Sequence, residues 1–330
     1  MVEWLLPAAA IVAGLAALVF SADVFVAGAS DGARRLGAPA LLVGMVVVGF
    51  GTSAPEMAVS AVGAVRGAPG LALGNAYGSN VCNIALILGL CALVRPLAVN
   101  RSAIRFAIPA LLFVTAVSAV LLKDARLGAG LSRIDSWILL ALFAAALFAT
   151  VRDASADASA DAGPGRTPAP LGVCAAKVVF GVAALVLSSR ALVWGAVAIA
   201  TKLGVSDLVI GLTVVALGTS LPELASSLAA VRRGEDDLAV GNVVGSNLFN
   251  SLAVVGIAGA ISPMPAVDRE VLVRDLPASF ALALFLLVAG LPRRGAPSGR
   301  IGRVPGIALL LAYAAYIALL AGGAMGQAVP

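Results

Sequence analysis

The segment GTSAPEMAVSAVGAVRGAPGLALGNAYGSNVCNIALILG, Gly51 to Gly89, aligns without a gap to GTSLPELASSLAAVRRGEDDLAVGNVVGSNLFNSLAVVG, Gly218 to Gly256, at a constant offset of 167 positions. The match reaches back through Gly44 with Gly211 and through Leu36-Gly37 with Leu203-Gly204. One structural unit has therefore been built twice. Hydropathy says what the unit is. Mean hydropathy is +1.05 and 12% of residues are charged, about half the charged fraction of a soluble domain. With about 20 apolar residues per crossing, ten runs read as spans, approximately 5–28, 39–65, 71–94, 104–122, 134–151, 171–200, 206–231, 238–261, 273–291 and 305–324. The alternating ten-residue segments of a membrane barrel are missing.

Ten runs divide into five per repeat. Because five is odd, the second repeat enters the membrane from the opposite side, and the two are inverted copies about an axis in the membrane plane. The expected fold is an all-α membrane protein of ten transmembrane helices. The first repeat occupies 1–151 and the second 171–330. Between them RDASADASADAGPGRTPAP, 152–170, reads as a flexible cytoplasmic linker too short for a regulatory domain. With the N-terminus outside, Arg34, Arg35, Arg95, Arg101, Arg105, Arg152, Arg166, Arg232, Arg233, Arg293, Arg294, Arg300 and Arg303 fall in cytoplasmic loops, and about half as many basic residues fall outside. The positive-inside bias thus favours both termini facing out. The first run lacks a basic leader, carries Glu3, and reads as a retained span rather than a signal peptide. These features suit a multi-pass protein of a prokaryotic inner membrane.

Several functions are excluded by what the chain lacks. It has no histidine, so proton chemistry must run through carboxylates. Cys82, Cys91 and Cys174 sit in apolar runs without metal-site or disulfide spacing, and read as packing residues. Basic residues form no stripe with interleaved aromatics, which argues against nucleic acid. No nucleotide loop and no nucleophile with a base point to an enzyme. No resident cofactor and no obligate protein partner are expected, and the lipid bilayer is the surrounding medium.

The chemistry lies in the repeat. Pro55 and Pro222 cannot donate to the carbonyls of Gly51 and Gly218, which predicts a broken helix in each half with main-chain oxygens around 49–52 and 216–219 turned to an interior cavity. Glu56 and Glu223 follow the prolines near mid-membrane, where an ionised side chain costs roughly 2.5–3.5 kcal/mol or more. Two such acids in equivalent places imply a compensating cation, helped by the hydroxyls of Ser53 and Ser220. In GNAYGSNVCN and GNVVGSNLFN, Ser79 with Asn83 and Ser246 with Asn250 are four apart, so each pair shares a helix face. Gly74, Gly78, Gly241 and Gly245 read as helix-packing positions. For Asn75, Asn80, Asn242 and Asn247, helix-to-helix bonding and direct ligation stay open. All donors are oxygens, which fits calcium best and sodium next.

The paired GTS-x-PE and GN-x-x-GSN-x-x-N motifs resemble the two α-repeats of the cation/calcium exchanger superfamily, most closely its sodium/calcium exchanger branch. The resemblance covers essentially the whole chain. It implies a sodium/calcium exchanger-like fold in which the first and sixth spans form a gate sliding on an eight-helix core, and antiport of calcium against sodium. It further implies Glu56 and Glu223 as shared calcium ligands with the carbonyls of Thr52 and Thr219. Sodium would be held by Ser53, Ser220, Ser79 and Ser246 with the carbonyls of Gly49 and Ala216, while Asn83 and Asn250 would line the centre. Potassium-dependent relatives are among the members with aspartate at one of the last two positions. Both are asparagine here, which argues against potassium cotransport.

Alternatives remain at this level: exchange of calcium for protons carried by the two glutamates, or a cation channel lined by them. Asp23 in the first span and Arg190 in the sixth are repeat equivalents, and intramembrane charges usually pair. A salt bridge between them is therefore expected, against separate snorkelling to the interfaces.

Overall fold

The computed structural model describes residues 2–68, 70–123, 130–157, 168–204, 216–292 and 298–327. Helices follow the apolar runs, because a lipid-embedded backbone must satisfy its hydrogen bonds within the segment. They are α1 (Val2–Leu36), α2 (Ala40–Val65), α3 (Gly70–Val94), α4 (Ala103–Leu122), α5 (Arg133–Asp157), α6 (Leu171–Lys202), α7 (Ala216–Thr219 and Leu221–Arg233), α8 (Asp236–Ile261), α9 (Val271–Ala289) and α10 (Arg303–Gln327). Nine of these are long and apolar enough to cross a membrane. The exception is α7, whose expected N-terminal part, 206–215, lies outside the described residues. Helix α1 runs eight residues beyond the expected end of its span. Helix α5 continues to Asp157, into the stretch expected as linker, since its alanines favour helix past the membrane edge. The rest of that linker up to 167 lies outside the described residues.

Duplication is visible in the backbone. Positive φ occurs at Gly37 and Gly204, and at Gly67 and Gly234, two pairs of repeat equivalents that end α1 and α6, and α2 and α7. A left-handed residue after the last helical turn is the usual helix stop, and glycine adopts it without a steric penalty. The loop after α3 and the loop before α10 pair as a short antiparallel sheet, β1 (Leu97–Val99) with β2 (Gly299–Ile301), Leu97 opposite Ile301. Met264, the repeat equivalent of Leu97, makes the corresponding bridge to Leu131. Each bridge joins one half of the chain to the other.

Helices α3 and α8 are the most buried; α1, α5, α6 and α10 leave most of their surface to lipid. Helix α2 lies directly on α8. Gly44 packs against Leu238 and Gly241, and Gly245 against the backbone of Met45. Gly241 and Gly245 thus take the packing role expected of them, while the partner segment of Gly74 and Gly78 by repeat symmetry lies outside the described residues. Helices α1 and α6 run antiparallel, with Gly14 against Leu192, Phe25 against Gly181 and Gly195 against Pro7. Their small residues let the backbones approach closely, as at other lipid-embedded seams.

That register corrects the expectation for Asp23 and Arg190. Opposite Asp23 on α6 stand residues near Gly181, whereas Arg190 stands near Gly14, so the two positions are offset along the helices by about two turns, ~11 Å. No ion pair joins them. Asp23 is half-buried and Arg190 exposed.

Candidate cation site

Every expected site residue with a described side chain is found on the four helices that meet at the centre. Gly49, Thr52, Ser53 and Glu56 are on α2, Ala216, Thr219, Ser220 and Glu223 on α7, Ser79 and Asn83 on α3, and Ser246 and Asn250 on α8. Glu56 and Glu223 are each 1% exposed, and Thr52, Ser53, Ser220, Ser79, Ser246, Asn83 and Asn250 are buried; Thr219 is half-buried. Such burial of two carboxylates demands compensation.

The halves interlock through this cluster. Ser53 Oγ, one turn before Glu56 on α2, donates to Glu223 Oε1 at 3.3 Å. Thr52 Oγ1 bonds Val48 O at 3.0 Å and Asn242 Oδ1 at 3.1 Å, and lies 3.5 Å from Ser246 Oγ. Asn83 Nδ2 donates to Asn247 Oδ1 at 3.0 Å. Asn247 Nδ2 donates to Asn80 O at 3.2 Å, and Asn80 Nδ2 to Ser251 Oγ at 2.9 Å. The amide nitrogens of Asn80, Asn83 and Asn247 thus tie helices together.

Asn242 is the hub. Its Nδ2 reaches Ser226 Oγ at 3.0 Å, Ser227 Oγ at 2.9 Å and Glu223 O at 3.3 Å. Its equivalent Asn75 reaches Ser60 Oγ at 3.2 Å. Sequence reasoning passed over Ser226 and Ser227, although one helical turn beyond Glu223 was the place to look.

The expected helix break holds in one half only. On α7, Ser220 leaves the helix with φ −90° and ψ 5°, its N–H turning to Leu217 O at 3.1 Å. On α2, the helix from Gly49 to Val65 is continuous through Pro55. There the preceding turn, Gly44–Val48, is π-helical, and such a bulge absorbs local strain without ending a helix.

Among the described residues eleven buried side-chain N and O atoms lack a hydrogen-bond partner. Seven belong to the expected site: both Glu56 oxygens, Glu223 Oε2, Ser220 Oγ, Asn83 Oδ1, and the Asn250 amide oxygen and nitrogen. Orphaned buried polar atoms are rare in folded proteins, and a cluster of six oxygens among them, three from carboxylates, is the donor set of a hard cation. Calcium takes six to eight oxygens in flexible geometry, sodium the same hard donors. No group of three or more His, Cys, Asp or Glu occurs among the described residues, so soft transition metals find no site of that kind here.

The model of the family described as sodium/calcium exchanger protein matches residues 6–152 and 175–322. A protein named CaxA from Alkalimonas amylolytica is 41% identical over 94% of this chain and 97% of its own length. Inner membrane protein YrbG of Escherichia coli is 37% identical over 96% and 97%. Among solved structures, the sodium-calcium exchanger NCX_Mj soaked with sodium and strontium superposes with a TM-score of 0.81 at 33% identity, covering 95% of this chain and 98% of that one.

Proposed function

Because the chain belongs to the sodium/calcium exchanger protein family, a family of transporters and not of enzymes, we propose that this multi-pass membrane protein exchanges calcium for sodium. One observation carries the reading. Two glutamates from opposite halves of an inverted repeat converge on a buried cluster of oxygens that protein donors leave unpartnered. Glu56 and Glu223 would bind calcium with the Thr52 and Thr219 carbonyls. Ser53, Ser220, Ser79 and Ser246 with the Gly49 and Ala216 carbonyls would hold sodium, and Asn83 and Asn250 would face the centre. Two carboxylates balance one calcium or two sodium ions, so the two cargoes compete for the same charge. This competition is what couples their opposite movements, since an intramembrane site stripped of its counter-charge is costly to reorient.

Inverted repeats give a site that two symmetry-related routes can reach, the arrangement that alternating access requires. The arginine distribution supports both termini outside, in a prokaryotic inner membrane. Calcium for proton exchange is the second reading, favoured by the lack of any basic side chain bonded to either glutamate among the described residues. Purified protein in liposomes loaded in turn with sodium, potassium or acid separates the two. Calcium uptake is expected with sodium inside and not with potassium. Uptake driven equally by a proton gradient in the absence of sodium would overturn the sodium assignment.

A further inference from the structure

Helix α6 reaches into the broken turn of α7. Ser189 Oγ donates to the carbonyl of Gly218 at 2.8 Å, and one turn along the same face of α6 the Val193 side chain lies against Gly218 where a Cβ would stand. Gly218 is four residues before Pro222, so its carbonyl is the one that the proline deprives of a helical N–H partner. The hydroxyl that replaces this partner comes from a different helix. Ser189 is 5% exposed, so water does not freely compete for the bond.

The first repeat has no equivalent. Ala22 occupies the place of Ser189, and the space beside Gly51 is closed by Val182 and Phe25. Neighbouring Ser188 and its equivalent Ser21 behave alike, each bonding its own helix at Leu185 and Leu18. At this pair of positions on α1 and α6 the halves thus differ by one hydroxyl. That difference coincides with another, the helix interrupted at Ser220 on α7 and continuous on α2.

We propose that Ser189 is a positioning residue of the cation site. By capping the Gly218 carbonyl from α6, it holds the turn Gly218–Leu221 open, so that Thr219 and Ser220 are presented to the centre. Because α6 otherwise packs chiefly on α1, the geometry of the second-repeat half of the site depends on where α6 sits. This deepens the exchange reading and, for its transport arm, rests on it.

The test compares Ser189→Ala, Ser189→Val and Ser189→Thr, the last two alike in shape and different in the hydroxyl. Amide hydrogen exchange over 217–224 is measured in detergent without transport, and calcium KM and turnover are measured in liposomes. Loss of one buried hydrogen bond of ordinary strength corresponds to roughly two- to tenfold. Alanine and valine are expected to raise exchange in this turn and the KM by about that factor, turnover changing less, and threonine to restore both. The converse change, Ala22→Ser, offers a donor to Gly51 and is expected to alter amide exchange around 51–56. Alanine and valine variants that match wild type in both readouts would overturn the proposal. So would a fall in turnover with unmoved KM, or a threonine variant behaving like valine. If the wild-type protein exchanges no calcium in the same liposomes, the exchange reading fails, and amide exchange still decides the role of Ser189.

Discussion

Replacing Glu56 by glutamine removes a charge while keeping the shape of the side chain. Among the described residues neither Glu56 oxygen has a hydrogen-bond partner, whereas Glu223 Oε1 accepts from Ser53. Breaking a buried charge pair by removing one partner costs about 3–5 kcal/mol, so calcium affinity is expected to fall at least ~150-fold, at 1.4 kcal/mol per tenfold. At a calcium concentration a hundred times the wild-type Kd, ligand stabilises the wild-type fold by ~2.7 kcal/mol. At that concentration the variant would keep less than ~0.3 kcal/mol of this stabilisation. In buffer free of calcium and sodium the order reverses. Glu56→Gln relieves an uncompensated carboxylate and is expected to be more stable than wild type. Glu223→Gln is expected to gain less, by about 1 kcal/mol, because the Ser53 hydrogen bond that it accepts at 3.3 Å becomes a neutral one. Thermal unfolding of purified wild type and both variants, with and without calcium, measures all of these together, and liposome uptake measures flux. A variant that keeps the full calcium-dependent stabilisation, or near-normal calcium flux, would refute the central pairing of the two glutamates.

Asn242→Ala strips four bonds from the hub and should lower thermal stability by ~3 kcal/mol or more, at about 1 kcal/mol per bond. Asn75→Ala, which removes the 3.2 Å bond to Ser60, should cost at least ~1 kcal/mol; an unchanged unfolding temperature would count against that bond. Gly245→Ala would push a methyl into the Met45 backbone and is expected to destabilise by ~1–3 kcal/mol. An unchanged unfolding temperature would count against the close α2–α8 seam. Arg34 pairs with Glu235, which also accepts from Ser30. With the arginine half exposed, a double-mutant cycle on that pair should return only ~0.2–1 kcal/mol, falling as salt rises.

Much of this was legible in the sequence, for physical reasons. A lipid-embedded helix must be long and apolar, so the spans announce themselves. The 167-residue offset supplied the inverted architecture and paired Glu56 with Glu223 before any coordinates. What escaped depends on register between helices that are distant in the chain. Asp23 and Arg190 are equivalent by repeat, yet the crossing of α1 with α6 sets them about two turns apart. Ser189 was invisible because its partner is a carbonyl, and carbonyls are the same at every position. Proline at 55 and 222 promised the same break twice. The surroundings, among them a serine from α6 that reaches Gly218 and has alanine in its place on α1, decide whether the chain runs through or breaks.

The interlocking of the two halves also bears on how the protein is made. Thr52 and Asn242, 190 positions apart, share a hydrogen bond, and β1 finds its partner only at Gly299–Ile301. Synthesis runs at about 5–20 residues per second, so the first five helices wait roughly ten seconds or more in the bilayer before the helices that complete them emerge. Through that interval Glu56 sits in lipid without the oxygens that will surround it, and the glycine face of α2 lies uncovered. Such an intermediate is a natural client for an insertion chaperone, and a chain halted after α5 is a natural substrate for membrane proteolysis.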